Sequence, residues 1–248
     1  MRLTVTRSLI VAATLLVSCT AFAQTRKVQG FESGDPAVTS IGDAGKVGSF
    51  QGQAAPEGTM QYLLTTIGSM SNEDGLTSQS GSFAVVNMTL QNFFGLSLLG
   101  TEGSGVMIPF SVSAGDTQLT FQYDFLSNEV IQSMPRDDFA FAAIFNSANA
   151  LQGTASTFAR EFTASFQLFG NQSIFQFHTG LQTMSLSLAS LAPGNYTLGL
   201  GIEDRSTADH ASGLLIDNVQ VVPEPSVIAL AVAGAGLLVG WSRRSRRA

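Results

Sequence analysis

The chain has 248 residues, of which 44% are hydrophobic and only 12% charged, so it has room for one medium-sized domain with a core. Six of its twelve basic residues lie at the two ends, which leaves residues 24–222 with six basic and seventeen acidic residues, a balance of −11. A domain this acidic repels phosphate backbones, which disfavours nucleic-acid binding. The only cysteine of the chain, Cys19, lies before this domain, which excludes an internal disulfide.

Residues 1–23 predict a secretory signal peptide. A positively charged start precedes an apolar run at residues 9–17, and Ala21 and Ala23 supply the small side chains of a cleavage site. The apolar run is about half as long as a membrane-spanning helix requires. We therefore expect export by the secretion machinery and cleavage by signal peptidase after Ala23. The alternative is a lipobox that ends at Cys19, which would then be lipidated.

Between residues 24 and 221 the apolar residues recur mostly with period two, which predicts strands with one buried face. Turn residues separate these strands, and no helical pattern of useful length intervenes. The pattern therefore predicts an all-β fold, an antiparallel β-sandwich of jelly-roll type. One departure is at residues 86–94, where Leu90, Phe93 and Phe94 have helical spacing and predict a short helix. The clearest predicted strands are 106–112, 119–125, 139–145, 162–168, 175–177, 184–188, 196–202 and 214–221.

The exported region contains few residues suited to catalysis. No nucleophile, metal-ligand or phosphate-loop pattern surrounds His178 or His210, which we interpret as an exposed strand-end residue and a loop residue. Asp137-Asp138 and Glu203-Asp204 are acidic pairs, but strand neighbours point to opposite faces, so we interpret them as solvated loop acids. The sequence predicts a non-catalytic protein without a cofactor. A secreted glycoside hydrolase, whose two carboxylates a sequence cannot place, is the alternative.

Short phrases of the exported region resemble a domain that often precedes C-terminal sorting signals and is similar to carbohydrate-binding jelly rolls. The resemblance implies that fold and a structural or polysaccharide-binding role, with exopolysaccharide of a biofilm matrix as the partner. Because Trp241 lies in the C-terminal tail, the aromatic sugar platforms would be Tyr62, Tyr123 and Tyr196. The phrases that carry the resemblance are residues 30–35, 57–59 with 62–64, 138–141 and 214–219.

The same resemblance implies a structural calcium site. In carbohydrate-binding jelly rolls a cation often ties the first strand to the last, and Glu32 and Asp217 occupy the matching phrases here. Carboxylate and backbone oxygens are the ligands that calcium prefers. The alternative is that Glu32 is exposed and that Asp217 makes an ordinary hydrogen bond.

Residues 222–247 are the most specific signal in the chain. In Pro223-Glu224-Pro225 both prolines lack the N–H and fix φ, so we expect a stiff segment that cannot continue a strand. Residues 226–241 are uncharged and apolar, and at 1.5 Å per residue they span roughly 24 Å of the ~30 Å hydrocarbon core. We expect a transmembrane helix there, with the basic end on the cytoplasmic side. The basic end consists of Arg243, Arg244, Arg246 and Arg247.

This tail resembles the PEP-CTERM sorting signal of Gram-negative bacteria, which is also described as the ice-binding protein C-terminal domain. The resemblance implies recognition by an exosortase in the inner membrane and cleavage near the Pro-Glu-Pro. The exported domain would then be held outside by the tail for a time and afterwards passed to the cell surface or extracellular matrix. A plain membrane anchor that is never processed is the alternative.

Overall fold

The protein is described by a computed structural model. The signal-peptide residues Ala21 and Ala23, His210, Pro225, the apolar run 226–241 and the arginine cluster lie outside the described residues. In the part of the chain that the structure describes, no helix is long and apolar enough to cross a membrane. The described residues are 25–67, 84–128, 138–161, 163–170, 172, 174–205 and 211–224.

Within these residues, fourteen strands form two antiparallel sheets that pack face to face, which confirms the predicted β-sandwich. Sheet A comprises β1 (Arg26–Gln29), β3 (Asp43–Val47), β4 (Gln61–Thr65), β7 (Asp116–Ser127), β10 (Gln167–Leu168), β11 (Phe177–His178), β12 (Gln182–Ser187) and β14 (Ser212–Pro223). Sheet B comprises β2 (Thr39–Ile41), β5 (Val85–Val86), β6 (Glu102–Val112), β8 (Phe139–Asn146), β9 (Ser156–Arg160) and β13 (Gly194–Asp204).

The two sheets have different strand orders. The main path through sheet A is β10-β11-β7-β14-β4-β3, with β12 paired to β7 and the first strand, β1, paired to the last, β14. The path through sheet B is β2-β6-β13-β8-β9, with β5 paired to β6. The long strands β7 and β14 therefore lie side by side in the middle of sheet A.

The core between the sheets follows from the period-two pattern. Phe121 and Phe125 of β7 and Ile216 of β14 point inward and are fully buried against Leu198 and Leu200 of β13. Because successive strand residues point to opposite faces, Gln122, Asp124, Leu215 and Asp217 lie on the outer face of sheet A.

The prediction of one strand at residues 162–168 is wrong. Strand β9 ends before this segment, and only the two-residue β10 lies at its end. Between them, the N–H groups of Thr163 and Ala164 both donate to the carbonyl of Arg160. That turn ends the strand. Strand β4 had no alternating pattern to reveal it, because all five of its residues are buried.

The predicted short helix is confirmed as α1 (Asn87–Phe94), which ends at Gly95 in the left-handed conformation with φ 64°. It covers the outer face of sheet B. The ring of Phe94 lies on the backbone of two glycines, since a Cβ at Gly105 would be 2.4 Å from Phe94 Cζ and one at Gly199 would be 2.9 Å from Phe94 Cε1. Glycine at these positions permits the close approach of the ring to the sheet.

The Pro-Glu-Pro segment was expected not to continue a strand, but its first residue does. Pro223 is the last residue of β14 and lies opposite Asp116 after a register shift, a strand-end position that tolerates the missing N–H. The N–H of Glu224 donates to the carbonyl of Gly115 at 2.8 Å. The first two residues of the motif thus belong to the folded domain.

Candidate functional site

A small, shallow cleft lies on the outer face of sheet A. Strands β7 and β14 supply its floor in a fixed register, with Asp217 opposite Gln122 and Leu215 opposite Asp124. Gln61 of β4 continues the floor, and loop residues on both sides raise the walls. The wall residues are Gln53, Ala54 and Pro56 on one side and Leu181 on the other.

Asp124 lies at the centre of a hydrogen-bonded group beside the cleft. Its Oδ2 is 3.0 Å from Nδ1 of His178, and its Oδ1 accepts a hydrogen bond of 3.1 Å from Oγ1 of Thr179. Burial raises the pKa of Asp124, while its hydrogen bonds to His178 and Thr179 act in the opposite direction. The ring of Phe169 stacks on His178 at 4.2 Å, and Nε2 of Gln53 lies 2.9 Å from His178 Nδ1.

His178 is the last residue of β11, as interpreted, but it is not exposed. Its side chain is only 12% exposed, since it fills the space between Asp124 and the Phe169 ring. The imidazole joins β11 to the loop that carries Gln53, so it positions one wall of the cleft.

A second hydrophobic cluster fixes the same wall. Phe50 and Phe175 come from two loops and pack on Leu63 and Leu215 of the outer face. The amide of Gln51 joins the two loops, because Nε2 donates to the Phe175 carbonyl at 2.9 Å and Oε1 accepts from the Phe175 N–H at 2.7 Å. The wall is thereby held in place before any ligand arrives.

Asp217 closes the cleft at the end nearest β1. Its Oδ2 accepts from the N–H of Glu57 at 2.8 Å and its Oδ1 from the N–H of Asn218 at 2.7 Å. Burial raises the pKa of Asp217 to about 6, the two N–H groups oppose this, and the carboxylates of Glu57 and Glu32 raise it further. Asp217 is therefore a desolvated acceptor in an acidic surrounding.

Glu32 lies near Asp217, and both hold the loop before β4. Glu32 accepts hydrogen bonds from the N–H groups of Thr59 and Met60 and from Oγ1 of Thr59, and these bonds lower the pKa of Glu32. Among the described residues, no three His, Cys, Asp or Glu side chains come together as a metal site. A lysine ammonium, Lys27 Nζ, instead lies 2.9 Å from the nearer carboxylate oxygen of Glu57. Asp217 thus makes the hydrogen bonds of its alternative interpretation, and a calcium ion at this position stays a prediction.

Asp138, Glu203 and Asp204 are not the solvated loop acids that the sequence indicated, and Asp137 lies outside the described residues. Asp138 is buried and accepts from Oγ of Ser212 at 2.7 Å and from the N–H of Arg205 at 3.2 Å. Glu203 and Asp204 are buried at the end of β13, where Glu203 lies on the outer face of sheet B. Sheet B therefore carries these acids away from the cleft on sheet A.

The three tyrosines contribute to packing and not to an open sugar platform. Tyr62 is 5% exposed and packs 4.9 Å from the ring of Phe31. The ring of Tyr123 packs 4.7 Å from that of Phe158, and the hydroxyl of Tyr196 donates to the carbonyl of Ala192. The period-two pattern of residues 119–125 and 196–202 already placed Tyr123 and Tyr196 on the buried faces of their strands.

Sequence reasoning missed the residues that form the cleft floor. Gln122 and Asp124 alternate with Phe121 and Phe125, and this alternation was visible in the sequence. The same pattern is typical of any strand with one face in water, so it does not identify a binding face by itself.

No protein-family model and no curated protein matches this sequence. Among solved structures, the chain is similar to the carbohydrate-binding module TmCBM61 in complex with beta-1,4-galactotriose, with 10% identity, a TM-score of 0.42, and coverage of 80% of this chain and 99% of that one. It is also similar to the K1 cleaved adhesin domain of Lys-gingipain from Porphyromonas gingivalis W83, with 11% identity, a TM-score of 0.43, and coverage of 82% and 99%.

A third similar structure is the non-crystalline cellulose specific carbohydrate-binding module CBM28, with 9% identity, a TM-score of 0.41, and coverage of 81% of this chain and 98% of that one. At these identities and TM-scores, the similarity does not identify a ligand or a site in this chain.

Proposed function

We propose that this is an exported, non-catalytic surface or matrix protein that binds polysaccharide in the cleft on sheet A. The observation that carries the proposal is the row of amide and carboxylate side chains, Gln61, Gln122, Asp124 and Asp217, along one wall-bounded sheet face. The amides can donate to and accept from sugar hydroxyls, and the carboxylates can accept from them. Beside them Leu181, 52% exposed, offers an apolar surface to the sugar ring.

Replacing Gln122 tests this proposal. On a glycan array we expect the purified full chain to bind at least one class of polysaccharide, and Gln122→Ala to weaken that binding about tenfold, as expected for one lost polar contact. Gln118→Ala is the matched control, because Gln118 lies on the same strand but outside the cleft. A blank array, or equal binding by the Gln122 and Gln118 variants, would contradict the proposal.

Glycoside hydrolysis is the second candidate function. Asp124 and Asp217 are diagonal neighbours on adjacent strands and line one cleft, which implies a Cα separation of about 7–8 Å. Inverting glycosidases hold their carboxyl groups about 6.5–9.5 Å apart. However, both oxygens of each aspartate already accept hydrogen bonds within the domain, so we favour binding. A panel of para-nitrophenyl glycosides should show no turnover. Turnover that Asp124→Asn and Asp217→Asn each abolish would establish a hydrolase.

We further propose that an exosortase removes the tail. In support, β14 ends at Pro223 and the N–H of Glu224 still donates to the Gly115 carbonyl, so the folded domain holds the chain as far as Glu224. Protein recovered from the cell surface should then have an intact mass that begins near Gln24 and ends just after Glu224. A heavier inner-membrane form should accumulate when the exosortase is deleted. If protein recovered from the surface still carries Arg247, the tail is a membrane anchor that is never cleaved, and this proposal is wrong.

The sequence left two interpretations of Glu32 and Asp217, as calcium ligands or as ordinary hydrogen-bonding groups, and a chelator decides between them. Because Glu32 and Asp217 already accept hydrogen bonds from the loop before β4, we expect EDTA to leave the melting temperature within about 1 °C of its original value, a shift far below the effect of losing a bound ion. A fall of several degrees that added Ca²⁺ reverses would instead establish a structural calcium site.

A further inference from the structure

Strand β12 is an open edge of sheet A. Among the described residues it pairs with β7 alone, in a regular register over residues 182–187. The N–H of Leu188 donates to the carbonyl of Thr117 at 2.8 Å and continues this ladder. Since hydrogen-bonded and non-hydrogen-bonded pairs alternate along an antiparallel ladder, the odd-numbered residues of β12 direct their N–H and C=O groups away from β7. These residues are Thr183, Ser185 and Ser187, and all three are exposed.

The other edge strands of the described structure carry features that oppose pairing with another chain. Strands β1 and β3 contain Lys27 and Lys46, and β9 has a register shift. Strands β2, β5 and β10 have only two or three residues each. Charged side chains, bulges and short length are the usual protection of a sheet edge. Strand β12 has none of them, because its six residues are uncharged and in regular register.

The charge around β12 favours a second copy of this chain as the partner. Residues 24–222 have a balance of −11, so two copies repel each other in general. Residues 162–202, however, contain no Asp, Glu, Lys or Arg, and they include β10, β11 and β12. Two copies can therefore meet at this edge without like charges at the contact.

We infer that two copies of the chain pair edge to edge through β12, related by a two-fold axis at Ser185. In this register the N–H and C=O of Ser185 bond those of Ser185 in the second copy, and Thr183 bonds Ser187 in the same way. All three outward N–H groups and all three outward C=O groups of each strand are then satisfied. The two sheets A become one continuous sheet, which is the geometry of strand addition.

The side chains on the inner face fit the same register. Met184 and Leu186 point inward and pack against the core of their own domain. With the axis at Ser185, Met184 lies opposite Leu186 of the second copy, so apolar side chains meet across the contact. The neighbouring registers that keep inner residues opposite inner residues leave either Thr183 or Ser187 beyond the paired segment. The register with the axis at Ser185 therefore satisfies the most backbone groups.

Cysteine cross-linking tests the inference through its register. All variants are made in the full chain with Cys19→Ala, because Cys19 is the only native cysteine. Ser185→Cys places two thiols opposite each other at a Cα separation of about 5.5 Å, which suits a disulfide. Ser187→Cys is the matched control, since it is exposed on the same edge but lies roughly 14 Å from its equivalent in the second copy.

On a non-reducing gel after mild oxidation, we expect a disulfide-linked dimer from Ser185→Cys and almost none from Ser187→Cys. Adding Thr183→Cys to Ser187→Cys should restore the dimer, because these two positions lie opposite each other across the axis. The apolar tail cannot produce this pattern, since association through the tail would not distinguish positions two residues apart on β12.

A charge on the axis gives an independent readout. Ser185→Lys places two ammonium groups opposite each other, so analytical ultracentrifugation of the purified full chain should show the dissociation constant of the dimer rise about tenfold. Thr39→Lys adds the same charge at an exposed position of β2, an edge strand of sheet B. This control should leave the dissociation constant unchanged.

Each outcome has a defined meaning. Equal cross-linking of Ser185→Cys and Ser187→Cys would indicate random collision and overturn the inference. A chain that stays monomeric at micromolar concentrations would also overturn it, as would a dimer that Ser185→Lys and Thr39→Lys weaken equally. If Ser185→Cys cross-links in native cells only to a different protein, a foreign strand occupies this edge and pairing between copies is wrong.

Discussion

Replacing Phe94 by alanine is expected to lower the free energy of unfolding by about 3–5 kcal/mol, the usual cost of removing a fully enclosed phenylalanine. Phe94 is 2% exposed and holds α1 on sheet B, where its ring makes edge contact with Phe141 at 5.1 Å. It also lies directly on Gly105 and Gly199, which have no side chain that could fill the space beneath the ring. Urea unfolding of the purified chain, followed by circular dichroism, measures the loss.

The control for this substitution lies on the same helix. Met88 is 72% exposed, so Met88→Ala should change the unfolding free energy by less than about 0.5 kcal/mol. If Phe94→Ala lowers the unfolding free energy no more than Met88→Ala does, Phe94 does not fix α1 to the sheet. The presence of glycine at the two positions beneath the ring would then need another explanation.

The stability of the domain is expected to fall as the pH rises from about 4.5 to about 7. Burial raises the pKa of Glu203 to about 7, with the N–H groups of Gly100 and Leu99 opposing it and Asp204 adding to it. Burial likewise raises the pKa of Glu102 to about 7. A carboxyl group with a raised pKa in the folded state keeps its proton there, so the folded state binds more protons than the unfolded chain. Stability is therefore highest below the ordinary pKa of 4.5 and is lost towards pH 7.

Glu203→Gln tests this dependence. For Glu203, which is completely buried, the shift corresponds to at most about 3 kcal/mol above pH 7. The variant should melt at a higher temperature than the original chain at about pH 8, and the difference should shrink at about pH 5. Glu224→Gln, at an exposed position directly after β14, should leave the profile unchanged. A Glu203→Gln profile identical to that of the original chain would contradict the assigned burial effect.

The sequence by itself determined the sandwich. Phe121 and Phe125 alternate with polar residues, and burial of one face of each strand leaves an antiparallel arrangement of two sheets as the compact solution. Helix α1 was also visible, because Leu90 and Phe94 stand four residues apart and Gly95 follows. These are local signals, since each depends on residues that are neighbours in the chain.

Only the tertiary structure decided which polar residues form the cleft. Asp124 meets His178 across 54 residues of sequence, and Asp217 meets the N–H of Glu57 across 160. A polar residue on the outer face of a strand has the same pattern whether water, a loop or a cleft covers it. The order of the strands determines which loop or strand lies over that residue. Glu203 is buried for the same reason, by packing against segments that are distant in sequence. Strand order depends on contacts between distant segments, for which a single sequence carries no periodic signal.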